Sequence, residues 1–161
     1  MNPGSVVDGT ALEGGAFDVP DPAFAARVRD IFEKQALMRT LGATLLRVAP
    51  GQVGIGFNFN ADFTQQNGFL HAGITAALVD TACGMAATTL MPAGADVLSV
   101  EFKVNLLRPA AGVRFIASGH VIKPGRTLMV THGDLWAFPL ATSNDGDRVH
   151  VATMQATMIR R

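Results

Sequence analysis

Tyrosine is missing altogether from the 161 residues, cysteine and tryptophan occur once each, and only 16% of the residues are charged. The lone Cys83 cannot close an intrachain disulfide or build a multi-cysteine metal site, so a reducing, cytoplasmic compartment is expected. Neither charge sign dominates: 13 Lys and Arg balance 13 Asp and Glu, which builds in no general attraction to nucleic acid or to an anionic membrane. No apolar run reaches the roughly 18 uninterrupted residues of a membrane span. The longest, from Ile74 to Met91, is broken by Asp80. The four histidines, at 71, 120, 132 and 150, show no i, i+4 or Cys-paired spacing, so no metal is expected. Walker-type and dinucleotide-binding glycine patterns are absent too, which leaves no standard nucleotide mode.

What is abundant is apolar surface. Hydrophobic residues make up 48% of the chain, and a length of 161 residues suits one core. Residues 1–20 read as a flexible, Gly-rich lead-in without the basic start and apolar stretch of a signal peptide. Residues 21–161 read as a single domain. Little charge and much apolar surface favour association with further copies of the chain.

Asp21 followed by Pro22 has the form of a helix N-cap with proline at the first helical position, and one helix is predicted from there to Thr40–Gly42. Residues 43–60 alternate as two extended runs around Ala49-Pro50-Gly51-Gln52, a hairpin signal. Residues 61–71 are polar and aperiodic, suiting a loop. From Gly73 to about Leu90 comes a helix apolar on nearly every side, ended by Met91-Pro92-Ala93-Gly94. Such a helix must be wrapped. The remainder supplies three or four long β segments, separated by Pro-Ala-Ala-Gly, Lys-Pro-Gly-Arg and Asn-Asp-Gly-Asp turns, and these short reversals predict an antiparallel meander. The fold class is therefore α+β, a curled antiparallel sheet around one long central helix with an extra N-terminal helix.

A carboxylate inside an apolar helix is costly unless it is hydrogen-bonded, paired or used. Two readings of Asp80 follow from the residues alone: a structural aspartate satisfied by a donor such as Thr75 or Thr81, or a nucleophile or general base. The stretch before it, Gln65-Gln66-Asn67-Gly68-Phe69-Leu70-His71-Ala72-Gly73, together with the order of elements, resembles the hotdog-fold acyl-CoA thioesterases. The match is to the phenylacetate-degradation (PaaI-like) branch, whose signature is a Gly-x-x-His-Gly-Gly turn with an acid seven residues beyond its last glycine. Here Ala72 replaces the first of the paired glycines. The resemblance spans about Gly42 to Ile159.

The resemblance implies hydrolysis of an acyl-CoA to a free acid and CoA, with CoA part of the substrate and no further cofactor. Asp80 takes the place of the nucleophile or general base, and Gln65 that of an amide contacting the thioester carbonyl. Ser99 takes that of a hydroxyl placing the attacking water. The amides of Ala72 and Gly73, at a helix start, suit an oxyanion hole. Asn67 is a weaker candidate amide, and Gly68 and His71 support the substrate turn. Arg108, Lys123, Arg126, Arg160 and Arg161 are cations available to CoA phosphates, of which Lys123 and Arg126 are taken as substrate-binding. Mid-helix Cys83, with no basic neighbour in sequence, is read as a small buried hydrophobe. In the family the acid of one subunit faces the amides of another, so a homodimer or homotetramer is expected. Two rivals stand beside this reading: a hotdog hydratase, whose histidine–acid pair is not found here, and a non-catalytic acyl-CoA or fatty-acyl binding module.

Overall fold

The computed structural model describes residues 17–161. Its centre is helix α3, Ala72–Thr88, from which Leu78, Val79 and every residue from Ala82 to Thr88 are buried. The helix is built largely from alanine, glycine, threonine and other compact side chains, so neighbouring backbone can come close to it. Around it curls a six-stranded antiparallel sheet of β1 (Thr44–Ala49), β2 (Gln52–Asn58), β3 (Val97–Leu106), β4 (Arg114–Lys123), β5 (Leu128–Phe138) and β6 (Val149–Arg160), in the order β1-β2-β4-β5-β6-β3. Odd-numbered positions of β5 face the helix and are buried, while even-numbered ones from Val130 to Trp136 lie half-buried on the outer face, as the two-residue period of a strand requires.

The helix is seated on two glycines. Gly119 of β4 and Gly133 of β5 are direct cross-strand partners. A Cβ on Gly119 would lie 2.3 Å from the Ala82 carbonyl carbon, and one on Gly133 would lie 2.6 Å from Val79 Cγ1 and 2.8 Å from Cys83 Sγ. Nothing larger than hydrogen fits there, and what it would strike at Gly119 is backbone. Gly51 serves differently: with φ +70° it turns the β1–β2 hairpin, and its N–H donates to Thr89 Oγ1 at 2.7 Å, tying the hairpin to the end of α3.

Arg27 finishes the far end of that helix. Its guanidinium donates to the carbonyls of Thr88, Met91, Pro92 and Ala95 and pairs with Asp21 at 2.9 Å. The last carbonyls of a helix lack intrahelical partners, and a cation there also complements the helix dipole. Phe17 and Val19, within the lead-in expected over residues 1–20, pack against the same core; residues 1–16 of that lead-in lie outside the described residues.

Two expectations need correction. The single N-terminal helix is instead α1 (Phe24–Lys34) and α2 (Ala36–Leu41), interrupted at Gln35, whose ψ of 107° is extended. Val28 and Phe32 are buried from the first piece and Met38 and Leu41 from the second. Six residues separate Phe32 from Met38, more than one and a half turns, so an unbroken helix would turn one pair away from the core; the break brings both inward. The meander expectation fails at β3. Among the described residues it pairs with β6 alone, at the edge opposite β1, so Pro109–Gly112 carries the chain across the sheet to β4 instead of closing a hairpin. Turn residues mark a change of direction; they do not say which strand comes next to which.

Replacing Gly119 with alanine is expected to lower stability by about 3 kcal/mol, at the upper end of overpacking penalties, because the obstacle is helix backbone that cannot rotate aside. Urea denaturation of Gly119→Ala beside wild type measures this, and an unchanged midpoint would contradict the close seating.

Candidate active site

The loop before α3 is shaped by its own backbone. The Gln65 N–H donates to the Phe69 carbonyl at 2.8 Å and the Gly68 N–H to the Gln65 carbonyl at 2.9 Å, with Gly68 at φ +80°. That left-handed conformation is what glycine supplies at low cost. The Gln65 side chain closes the same turn, its Oε1 accepting the Asn67 N–H. With the oxygen committed, the NH₂ end of the amide is the remaining donor. The loop is pinned at its exit, where the His71 N–H meets the Phe63 carbonyl at 2.9 Å and the Leu70 N–H meets the Ala110 carbonyl at 3.2 Å.

His71 is the N-cap of α3. Its Nδ1 accepts the Gly73 N–H at 2.9 Å, so the neutral ring carries its proton on Nε2. A Cβ on Gly73 would come within 3.1 Å of that Nδ1, so the glycine keeps the cap close. Of the two amides expected at the helix start, Gly73 therefore already has a partner inside the chain. The Ala72 N–H donates to no group among the described residues. Both residues are exposed. Beside them opens a groove of about 440 Å³ whose walls include Gln65, Asn67, Ala72, Thr75 and Arg108.

Asp80 is half-buried and accepts the Ser99 hydroxyl on Oδ1 at 2.7 Å. The partner is thus a strand serine and not Thr75 or Thr81; the Thr81 hydroxyl instead reaches Gln35 Oε1, at 3.5 Å, across the break between α1 and α2. The β3–β6 register shifts between Ser99 and Glu101, leaving the exposed Ser99 opposite the buried Met158, with Oγ 3.5 Å from Met158 Sδ. A bulge of this kind re-aims side chains. Eight residues separate Ala72 from Asp80, about 12 Å along the helix axis at 1.5 Å per residue. One short carboxylate side chain does not bridge that distance, so Asp80 and the helix start of one chain do not reach the same carbonyl group.

Gln65, Asn67 and Ala72 line the groove and Gly68, His71 and Gly73 belong to the turn and helix start beside it, whereas Asp80 and Ser99 form a second cluster two helical turns away. Lys123 and Arg126 are exposed at the β4–β5 turn and take no part in the groove wall. Cys83 is fully buried, and burial, reinforced by the charges of Asp80 and Asp134 and opposed by a Thr131 hydrogen bond, pushes its thiol up to about 12. A thiol held protonated is no nucleophile at neutral pH. Among the described residues no three His, Cys, Asp or Glu side chains are disposed to hold a metal, and no helix is long and apolar enough to cross a membrane.

Sequence spacing did not reveal that three of the four histidines meet on the outer face of the sheet. His132 and His150 both direct Nε2 at Asp134, at 3.2 and 2.8 Å, and the His120 ring lies 5.0 Å from that of His132. The only signal was strand parity, and it becomes readable once the strands are paired as β4-β5-β6.

Residues 67–142 match the thioesterase superfamily model. Over 99 residues the chain is 37% identical to acyl-coenzyme A thioesterase 13 of Homo sapiens, a stretch covering 60% of this chain and 70% of that protein. The structure of a thioesterase family protein from Silicibacter pomeroyi superposes with a TM-score of 0.80 at 47% identity, covering 85% of this chain and 97% of that one. The E. coli PaaI protein from the phenylacetic acid degradation operon shares the fold, with a TM-score of 0.73 at 19% identity over 86% of this chain and 93% of its own.

The outer-face cluster carries a pH dependence of stability. Burial, then the neighbouring His132, hold His120 below its ordinary value of 6.5, with Asp134 opposing. The unfolded chain therefore takes up this proton at a higher pH than the folded one, so stability falls as pH drops through the unfolded value toward the folded one. His120→Gln is expected to flatten the decline in urea midpoint between about pH 7 and pH 5, since the ordinary histidine value of about 6.5 lies in that window. An equally steep decline in the variant would contradict the assignment.

Proposed function

The chain belongs to the thioesterase superfamily, and we propose that it hydrolyses an acyl-CoA thioester to a free acid and CoA at a site shared by two copies of the chain. The observation that carries the reading is the separation of the two clusters. A carboxylate with its hydroxyl partner and a set of oxyanion donors are both needed for acyl transfer, and they stand too far apart in one chain to act on one carbonyl. A two-fold pairing that lays one copy's helix start against the other's Asp80 creates two such sites at once.

Edge strand β3 supports the pairing. Leu98, Val100, Phe102 and Leu106 are 44–54% exposed along it, and among the described residues one side of its backbone has no strand neighbour. An apolar unpaired edge of this length is a ready template for another chain, and natural proteins usually cover one. Because β3 also carries Ser99, joining two copies there brings each Asp80–Ser99 pair to the interface.

In this site the thioester oxygen sits against the Ala72 N–H and the Gln65 NH₂ group. The backbone donor has the positive end of the α3 dipole behind it, and both donors are fixed before substrate arrives. Gly73 and His71 act one step back. The cap between them fixes the first turn of the helix, and with it the direction of the Ala72 N–H. Gly68 allows the turn that orients Gln65, and Asn67 locks the amide by donating to its oxygen. From the other copy Asp80 attacks the carbonyl carbon, or takes the proton from the water that does, while Ser99 holds one carboxylate oxygen and positions that water. The C–S bond breaks, water supplies the hydroxyl of the acid, and CoA leaves as the thiol. No cofactor beyond the CoA of the substrate is called on.

Release of free thiol from a panel of short, medium, long-chain and phenylacetyl CoA thioesters tests the reading. Asp80→Asn is expected to lose nearly all turnover while retaining the wild-type fold and assembly; full activity in that variant would contradict the carboxylate's role. Gln65→Ala is expected to lower kcat by about 10- to 1,000-fold, the range for removal of one oxyanion donor. An unchanged kcat would leave Ala72 as the whole oxyanion site.

A further inference from the structure

We propose that His150, braced by Asp134 on the face of the sheet turned away from α3, is a positioning residue for the groove wall. Only the substrate of its test rests on the acyl-CoA reading above. The segment Leu106–Ala110 lines the groove throughout, and Val151 of β6 lines it too. A bulge ties the two together. Leu135 pairs with Ala152 and Trp136 with His150, so among the described residues Val151 has no partner on β5. Val151 and Ala152 are both buried, at successive positions where a regular strand would turn one of them outward. The bulge also re-aims the backbone. The Val151 carbonyl accepts the Leu107 N–H at 2.7 Å and the Arg108 N–H at 3.3 Å, and Arg108 Nη1 donates to the adjacent His150 carbonyl at 3.1 Å. The far end of the segment is held separately, by the Leu70 N–H on the Ala110 carbonyl at 3.2 Å.

An extra residue in a strand can be taken up at more than one position along it, so something has to fix where it falls. The His150 side chain does this from the outer face. Its Nε2 lies 2.8 Å from Asp134 Oδ1, and because an ionised carboxylate only accepts, that nitrogen carries the ring proton. The ring stacks on Trp136, 4.2 Å between centroids and 16° between planes, and the Arg148 guanidinium lies over the same indole at 4.4 Å. Asp134 is itself held, since His132 Nε2 stands 3.2 Å from its other oxygen. Bond and stack together set His150 opposite Trp136, and the residue after it is then the one that bulges. A slip of one residue would turn Val151 to the outer face and carry its carbonyl away from Leu107 and Arg108.

The test separates wall position from general stability. His150→Leu, which loses both bond and stack, is expected to raise KM for an acyl-CoA by about tenfold, the scale of one lost hydrogen bond to a charged group, while kcat stays within about threefold of wild type. His150→Gln, whose amide N–H can reach the same carboxylate, should recover most of the loss. Amide hydrogen exchange, read residue by residue, provides an arm independent of turnover. In His150→Leu the Leu107 and Arg108 amides are expected to gain at least about tenfold more in exchange rate than those of Gly119 and Gly133 at the sheet centre. A uniform rise across the sheet would show that His150 supports only the fold and would overturn the proposal, as would unchanged exchange at Leu107 or an unchanged KM. If wild type releases thiol from no thioester, the hydrolytic reading alone fails, and the exchange comparison decides the positioning role by itself.

Discussion

The close seating of α3 on Gly119 and Gly133 is the constraint on which the rest of this molecule depends. Two glycines facing each other across adjacent strands leave a gap in the sheet surface under residues 79–83, and the helix backbone fills it. The contact fixes the helix near its middle, in the turn that carries Asp80, while the Arg27 clamp holds one end and the His71 cap the other. A helix this poor in polar residues has no amphipathic stripe to set its rotation. Shape complementarity at the glycines supplies what patterning usually does, and it decides which helix face is left uncovered.

From that rotation the division of the site follows. Asp80 emerges toward β3, where a bulge turns Ser99 to meet it, while the helix start opens on a groove built by the preceding loop and the segment after β3. A helix is a ruler of 1.5 Å per residue, and the seven- or eight-residue spacing that puts Asp80 two turns from the proposed oxyanion donors separates the two halves of the proposed site by about 12 Å within one chain. Apolar edge, separated halves and shared strand are three aspects of one arrangement.

Much of this was legible in the sequence, for identifiable reasons. The hairpin at Gly51, the uncovered carboxylate at Asp80 and the Gly68–Gly73 turn are local features, with the needed residue types adjacent in the chain. The Asp80–Ser99 contact joins residues 19 positions apart and was available only through family resemblance. The break at Gln35 was missed because Gln35 is neither proline nor glycine; the interruption comes from the change of phase between two buried faces, which can be seen only when the core is known. The edge position of β3, the Arg27 clamp and the meeting of His120, His132 and His150 depend on strand order. Turn residues do not encode strand order, since the same Pro-Ala-Ala-Gly suits a hairpin or a crossing.

That two copies build one site is most directly tested by subunit complementation. Asp80→Asn and Gln65→Ala chains, each impaired alone, are co-refolded in equal amounts and assayed for thiol release. If the halves come from different chains, mixed dimers carry one doubly damaged site and one intact site, and activity should rise to about a quarter of wild type, as random pairing of a two-fold dimer requires. Activity no greater than the average of the two parents, with mixed dimers shown to be present, would place the whole site in one chain and contradict the account.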